Sequence, residues 1–406
     1  MGGQDLNVKF TNEKYMTRME VAKSLGTNLI DQIWREILNY RRNMSRELSF
    51  YDNAHFHFTL TSTPKVLSCI ETLSTKVAKY ISSFDNLIDG SIAKYTFTHD
   101  MLKIALKSIA KENHVDISEI TLQNIIEHKG GDVNYLVIIN YYKALERLAK
   151  IPFEEINEEF LATYYAILKG QEELTSFYRV NENQTPSSRY LVGAEYNNGV
   201  QVHLIEDMMS TVLEFAKDKD QPVLSRVVGV LFMFNYIKPF EEYNNELAIL
   251  VVKSLLAQAG LGQAAVYVPI ENILNDHLFY GEISREVQKS RDFTYAFLKG
   301  SEVVENSFSQ VIDRIIQVNS SAIESTANLG DSVEEFKKEF GFEPKQRIIE
   351  EPKVEVPHVA PKPAPVPAPR AASIPEYKQT SDLSEKELKA REIDMLESNP
   401  YIKKGQ

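Results

Sequence analysis

The stretch Lys238-Pro239-Phe240-Glu241-Glu242-Tyr243-Asn244-Asn245-Glu246 is a short polar loop between two of the most apolar runs in the chain. Upstream lies Leu224–Ile237 (LSRVVGVLFMFNYI) and downstream Leu247–Gly260 (LAILVVKSLLAQAG), each long enough for about four helical turns. Both must be buried almost all round. Pro239 lacks an amide hydrogen and disfavours the α conformation at Lys238, so the first helix is expected to stop near Ile237 and a turn to follow. Asn244 or Asn245 is then expected to cap the second helix, whose first N–H groups make the loop an anion site.

Outward from this pair, the chain has 406 residues, 43% of them hydrophobic, which is enough for a sizeable core and more than one folding unit. A formal net charge of −12 argues against affinity of the whole protein for nucleic acid or an anionic membrane, because phosphate binding needs clustered Lys and Arg. With one cysteine, Cys69, no intrachain disulfide or thiolate metal cluster can form, which fits a reducing compartment. Cys69 itself, beside Leu67 and Ile70, reads as core. The N-terminus has no basic-then-apolar plan, and the apolar runs are interrupted by Lys253 or too short for a bilayer. A soluble, cytoplasmic protein with no membrane part is expected.

Spacings of three and four among Met19, Val21, Ala22, Leu25, Leu29, Ile30, Ile33, Trp34 and Ile37 predict helix from about residue 11 to 50. Ser62-Thr63-Pro64 opens a second helix over 63–82, and a third begins near His99 and Asp100 and ends before Val115. Further helices follow at ISEITLQNIIEH, VNYLVIINYYKALERLAK, INEEFLATYYAILKGQEEL and IEDMMSTVLEFAK. After the central pair they return at LNDHLFYGEISREVQKSRDFTYAFLKG and SFSQVIDRIIQVNSSAIESTAN. Between them, residues 186–203 carry an Asn197-Asn198-Gly199 turn flanked by short strand patterns, the one convincing β-hairpin in the sequence. Glu351–Pro375 holds eight of the sixteen prolines and reads as an extended spacer. His55-Phe56-His57 is the one close histidine pair, with no carboxylate cluster beside it to make a zinc site.

The central loop resembles the motif of the Fic (filamentation-induced-by-cAMP) family, His-Pro-Phe-x-Asp/Glu-Gly-Asn-Gly/Lys-Arg-x-x-Arg. Pro239, Phe240, Glu242 and Asn244 match it, while Lys238 stands at the histidine, Tyr243 and Asn245 at the glycines, Glu246 and Ile249 at the arginines. Ser108-Ile109-Ala110-Lys111-Glu112-Asn113 is similar to the family's inhibitory motif, Ser/Thr-x-x-x-Glu-Gly/Asn, and Asn140–Leu145 to the helix after it. The hairpin around Tyr190, Leu191, Val192 and Gly193 sits where the family has its target-positioning flap.

The resemblance implies a mainly α fold: a Fic-like helical bundle core with a short β-hairpin flap, an N-terminal helical extension and a disordered Pro-rich C-terminal tail. Its expected parts are an extension over 1–100, a core over 101–320 (inhibitory-type helix 101–114, flap 186–203, motif loop 238–246), a helical segment over 321–348, a linker over 349–380 and a short helical tail over 381–406. It also implies transfer of AMP from ATP, with Mg²⁺, to a Ser, Thr or Tyr of a target protein. The histidine would act as base, the acidic residue would hold Mg²⁺, the loop amides phosphate and the arginines the β/γ-phosphates.

Here the residues depart from those roles. A histidine titrates near 6.5, whereas a lysine, near 10.4, has no lone pair to offer at neutral pH. Burial can lower a lysine by about 3–5 units, and the same position can leave Lys238 cationic to hold a phosphate, which is the reading favoured. Glu246 reverses charge at the expected polyphosphate, a repulsion of roughly 4 kcal/mol for unit charges about 4 Å apart at an effective dielectric of 20. Ile249 has no donor, so Glu112 would face it without a partner. Glu242 could hold Mg²⁺ only with substrate phosphates as co-ligands; as an exposed acidic pair, Glu241-Glu242 needs no metal. Phosphate binding falls to Asn244, Asn245 and Tyr243. A Fic-like pseudoenzyme that binds a nucleotide, another phosphate ligand or a protein is expected, the alternative being an active protein nucleotidyltransferase. Partners would be a target or regulatory protein met through the flap and N-terminal helices, or a second copy of the chain.

Overall fold

The computed structural model describes residues 3–26, 30–88, 91–130, 132–172, 177–182 and 199–340. The flap residues Tyr190, Leu191, Val192 and Gly193, the proline-rich spacer and the tail beyond it lie outside the described residues. The described residues all fall in one compact unit.

Helices α1 (Gly3–Val8), α2 (Arg18–Leu25) and α3 (Ile30–Arg42) lead into an antiparallel hairpin, β1 (Ser45–Tyr51) and β2 (His57–Thr61). Helix was expected to run on to residue 50. Instead Leu48 and Phe50 are buried in alternation with exposed Glu47 and Ser49, the period of a strand with one face inward. The Asp52 carboxylate closes the turn by accepting from the N–H groups of Ala54 (2.9 Å) and Phe56 (3.0 Å). Among the described residues this hairpin is the sheet, with β2 also bridging in parallel to Asp292. Its tip is held against the bundle where Asn53 N–H donates to the Tyr236 hydroxyl at 3.1 Å.

Next come α4 (Pro64–Asp85), α5 (Ile92–Glu112), α6 (Glu119–Ile126), α7 (Leu136–Lys150), α8 (Glu158–Lys169) and α9 (Ile205–Lys217). Thr63 caps α4 as expected, accepting from Val66 N–H at 3.2 Å. Helix α5 starts earlier than residue 99, with Ser91 accepting from Lys94 N–H at 3.1 Å; exposed Ile92 and Tyr95 had blurred the apolar period there. The break expected between residues 100 and 101 therefore falls inside α5, and that between 320 and 321 falls inside α13 (Thr294–Phe340).

The centre of the unit is the pair α10 (Val223–Ile237) and α11 (Asn244–Leu256), packed along each other. Every residue of α10 from Leu224 to Ile237 is buried, as is every residue of α11 from Glu246 to Leu256. Asn244–Tyr267 is long and apolar enough by composition to cross a bilayer, and it lies largely buried among other helices. Past α11 the chain makes short turns and then α12 (Ser284–Ser290). The single helix expected through this region is broken at Arg291, in left-handed backbone (φ 59°), where Thr59 N–H donates to the Arg291 carbonyl at 2.9 Å. Strand pairing outcompetes the helix there.

The N-terminal helices keep a small core of their own, Phe10, Val21 and Ile37, with Trp34 packed at its edge. Buried Arg41 joins it to the main unit, donating to the Tyr295 hydroxyl (2.6 Å) and to the carbonyls of Phe10 (2.8 Å) and Met16 (2.7 Å), with the Asp292 carboxylate 3.8 Å away.

Candidate active site

The motif loop starts where α10 must end. Lys238 takes left-handed backbone (φ 48°) with its N–H still bonded to Phe234 O at 2.9 Å, and Pro239 turns the chain away. Phe240 is wholly buried against Tyr165 (ring centroids 4.7 Å apart), Tyr178 (5.7 Å) and Phe177 (6.1 Å). This aromatic plug fixes the height of the loop over the bundle. Glu241 and Glu242 are left exposed at its tip.

Tyr243 re-enters the helix in left-handed backbone (φ 60°), the conformation a glycine takes without strain and a bulky residue reaches at a cost of roughly 1–2 kcal/mol. The cap of α11 differs from the expectation. Tyr243, with no side-chain cap, precedes the helix; Asn244 is its first residue and reaches back across the loop. Its Oδ1 accepts from Phe240 N–H and its Nδ2 donates to Phe240 O, both at 2.9 Å. Asn244 thus shapes the loop and has both ends of its amide engaged in doing so.

A second set of contacts comes from a residue that sequence reasoning passed over. Arg179 is buried and holds the C-terminal end of α10: Nε donates to Lys238 O (2.7 Å), Nη1 to Asn181 O (3.1 Å) and Nη2 to Val200 O. Backbone bonds run alongside, Arg179 N–H to Pro239 O (2.9 Å) and Val200 N–H to Ile237 O (3.1 Å). The last carbonyls of a helix have no partner within it, and a cation there also meets the negative end of the helix dipole. Arg179 is 59 positions from Lys238 in sequence, so only the fold reveals the pairing. Lys238 is half-buried, and burial followed by the Arg179 charge pushes its pKa down to about 8.

On the other side α5 docks onto the first turn of α11. Glu112 and Ser108, one turn apart on α5, are both buried. Ser108 Oγ donates to Asn272 Oδ1 at 3.3 Å. The Glu112 carboxylate, expected to face Ile249 without a partner, accepts from Asn245 Nδ2 at 3.4 Å, while Asn113 Nδ2 donates to Glu246 Oε1 at 2.9 Å. Ile249 points into the apolar core, wholly buried. The sequence motif 108–113 therefore meets the motif loop through two amide–carboxylate bonds, with no guanidinium between them. Glu246 sits in the first turn of α11, where a carboxylate gains about 0.3–1 kcal/mol from the helix dipole.

Lys238, Tyr243, Asn244, Asn245, Glu246, Glu112 and Asn113 are thus assembled around one turn. Among the described residues no group of three or more His, Cys, Asp or Glu side chains is arranged to hold a metal. A cation at exposed Glu242 would need its remaining ligands from a bound phosphate. The residues do not fit a triphosphate clamp, because Glu246 and Ile249 supply no positive charge and Arg179 is turned to carbonyls, with the Glu182 carboxylate 3.6 Å from its Nη1.

No protein-family model matches the chain, and no curated protein matches it. The chain is similar to two solved structures, each at 14% identity: a Fic family protein from Desulfovibrio desulfuricans G20 (TM-score 0.48, over 62% of this chain and 75% of that one) and a Fic domain containing signaling protein from Bacteroides thetaiotaomicron (TM-score 0.44, over 60% and 98%).

Proposed function

We propose that this chain is a Fic-like protein whose adenylyl-transfer centre no longer performs the transfer and acts by binding a phosphate-bearing ligand or a protein. The observation that carries the reading is a closely built turn whose side chains oppose the chemistry its sequence resembles. At pH 7 an amine with a pKa of about 8 is mostly a cation, suited to holding phosphate rather than taking a proton from a hydroxyl. The Glu246 carboxylate, held by Asn113, faces the same helix start and disfavours a polyphosphate. Lys238 and the first amides of α11 would together suit one phosphate group. Contact with a protein would use the flap side and the N-terminal helices, in a cytoplasmic setting.

One feature favours the alternative, an active nucleotidyltransferase. At pKa about 8 roughly a tenth of Lys238 is neutral at pH 7, enough to act as a base where a histidine would.

Labelled ATP and Mg²⁺ incubated with the full chain and candidate target proteins separate the two readings. No transfer is expected; transfer lost on Glu242→Ala would overturn the binding-only reading. Thermal unfolding with inorganic phosphate and with ATP–Mg²⁺ tests the ligand. A ligand at a hundred times its Kd adds about 2.7 kcal/mol of stability, and no shift with either at millimolar concentration leaves protein binding alone.

A further inference from the structure

We propose that Arg179 is a positioning residue that sets Lys238 for a phosphate group, by joining the two chain positions that bracket residues 183–198 to the start of the motif loop. The inference rests on the phosphate-binding reading above and names what builds that site. Asn181 O and Val200 O, on either side of 183–198, and Lys238 O on the loop all accept from one guanidinium. A flexible ammonium cannot present three donors in fixed directions, whereas the planar fork of an arginine can. Gly199 completes the junction. Its φ is +80°, and a Cβ there would lie 2.5 Å from Ile237 O, 2.9 Å from the Lys238 Cβ and 3.2 Å from Arg179 Nη2. The backbone therefore approaches the end of α10 as closely as it can, and the guanidinium fills the remaining space.

Two consequences follow for Lys238. Its left-handed backbone is held from the carbonyl side, which limits the directions its side chain can take. Its ammonium also feels the Arg179 guanidinium, whose own carboxylate partner, exposed Glu182, lies 3.6 Å from Nη1. Arg179 touches no ligand in this scheme, because its donors are turned to carbonyls and to the Glu182 carboxylate.

The test compares the full-length wild type with Arg179→Met and Arg179→Lys. The pH dependence of acylation at Lys238, read by mass spectrometry, reports its midpoint, and inorganic phosphate as a protecting ligand reports the site. A wild-type midpoint near 8 is expected. Because burial is the larger cause, Arg179→Met should raise it by up to about one unit and raise the phosphate concentration for half-protection about tenfold. Arg179→Lys keeps the charge and should restore the midpoint while hydrogen exchange at the Val200 amide becomes at least about tenfold faster, since the fork is lost. A residue that merely filled space would leave the Lys238 midpoint unmoved in a folded Arg179→Met protein, and that result overturns the proposal. If Arg179→Met does not fold, Arg179→Lys decides: unchanged exchange at Val200 overturns it. Failure of phosphate to protect wild-type Lys238 would instead sink the phosphate reading, and the midpoints would still decide whether Arg179 positions the lysine.

Discussion

Two lysines flank the apolar heart of the molecule, and their neighbours give them opposite characters. Lys253, in the last turn of α11, is wholly buried, donating to the carbonyls of Val266 (2.8 Å) and Val268 (2.6 Å) with the Glu271 carboxylate 3.2 Å away. Tyr141 completes the cluster, its hydroxyl donating to Glu271 at 2.7 Å. Burial lowers the pKa of Lys253 and Glu271 pushes it back. Lys238 is less buried, yet its charged neighbour is Arg179, so burial and charge act in the same direction. A buried cation paired with a carboxylate is a strut, whereas a half-buried cation near another cation releases its proton more easily.

The largest effect that tests this contrast is Lys253→Met, expected to cost about 3–5 kcal/mol because it leaves Glu271 buried without its cation. Urea unfolding measures it, and Lys253→Met combined with Glu271→Leu should lose less than the single change. An equal loss in the double variant would mean that the two groups are not a pair. Around Lys238 the crowded junction is the next most sensitive position. Gly199→Ala places a Cβ against the Ile237 carbonyl in left-handed backbone and should cost about 2 kcal/mol in thermal unfolding.

At the first turn of α11, Asn113→Ala removes the donor to buried Glu246 and should cost about 1.5 kcal/mol. Glu246→Gln in the same background should recover part of that. Lys238→Met should have the smallest effect and the opposite sign. Because the folded pKa of Lys238 lies below its unfolded value of 10.5, the unfolded chain binds more protons between pH 8 and 10.5, and this group's penalty on stability shrinks as pH rises through that window. Removing the amine should therefore stabilise the protein at pH 7 by about 0.5–1 kcal/mol after solvent screening, and the gain should fade toward pH 10.5. A gain independent of pH would show that Lys238 titrates as an ordinary surface lysine.

Much of the helical order was legible because burial leaves a period. Two runs without polar interruption had to be buried helices, and Pro239 had to end the first of them. Thr63 before Pro64 was readable as a helix start because a cap acts within three residues. The hairpin at 45–61 was missed because three- and four-residue spacings upstream carried over into a short two-residue alternation. Inside the site, the absence of histidine and arginine from the loop 238–246 could be read from identities alone.

Which partners the loop's own side chains take could not. Sequence by itself determined where the loop lies between two buried helices and which chemistry its side chains lack, since backbone restriction at proline and the charge of a side chain are local properties. Tertiary structure alone decided that Asn244 latches the loop rather than caps the helix, that Asn113 and Asn245 meet Glu246 and Glu112, and that Arg179 closes the end of α10. Those partners are drawn from distant segments, and which buried donor meets which acceptor is settled only when the helices pack and every polar group left in the core must find a partner.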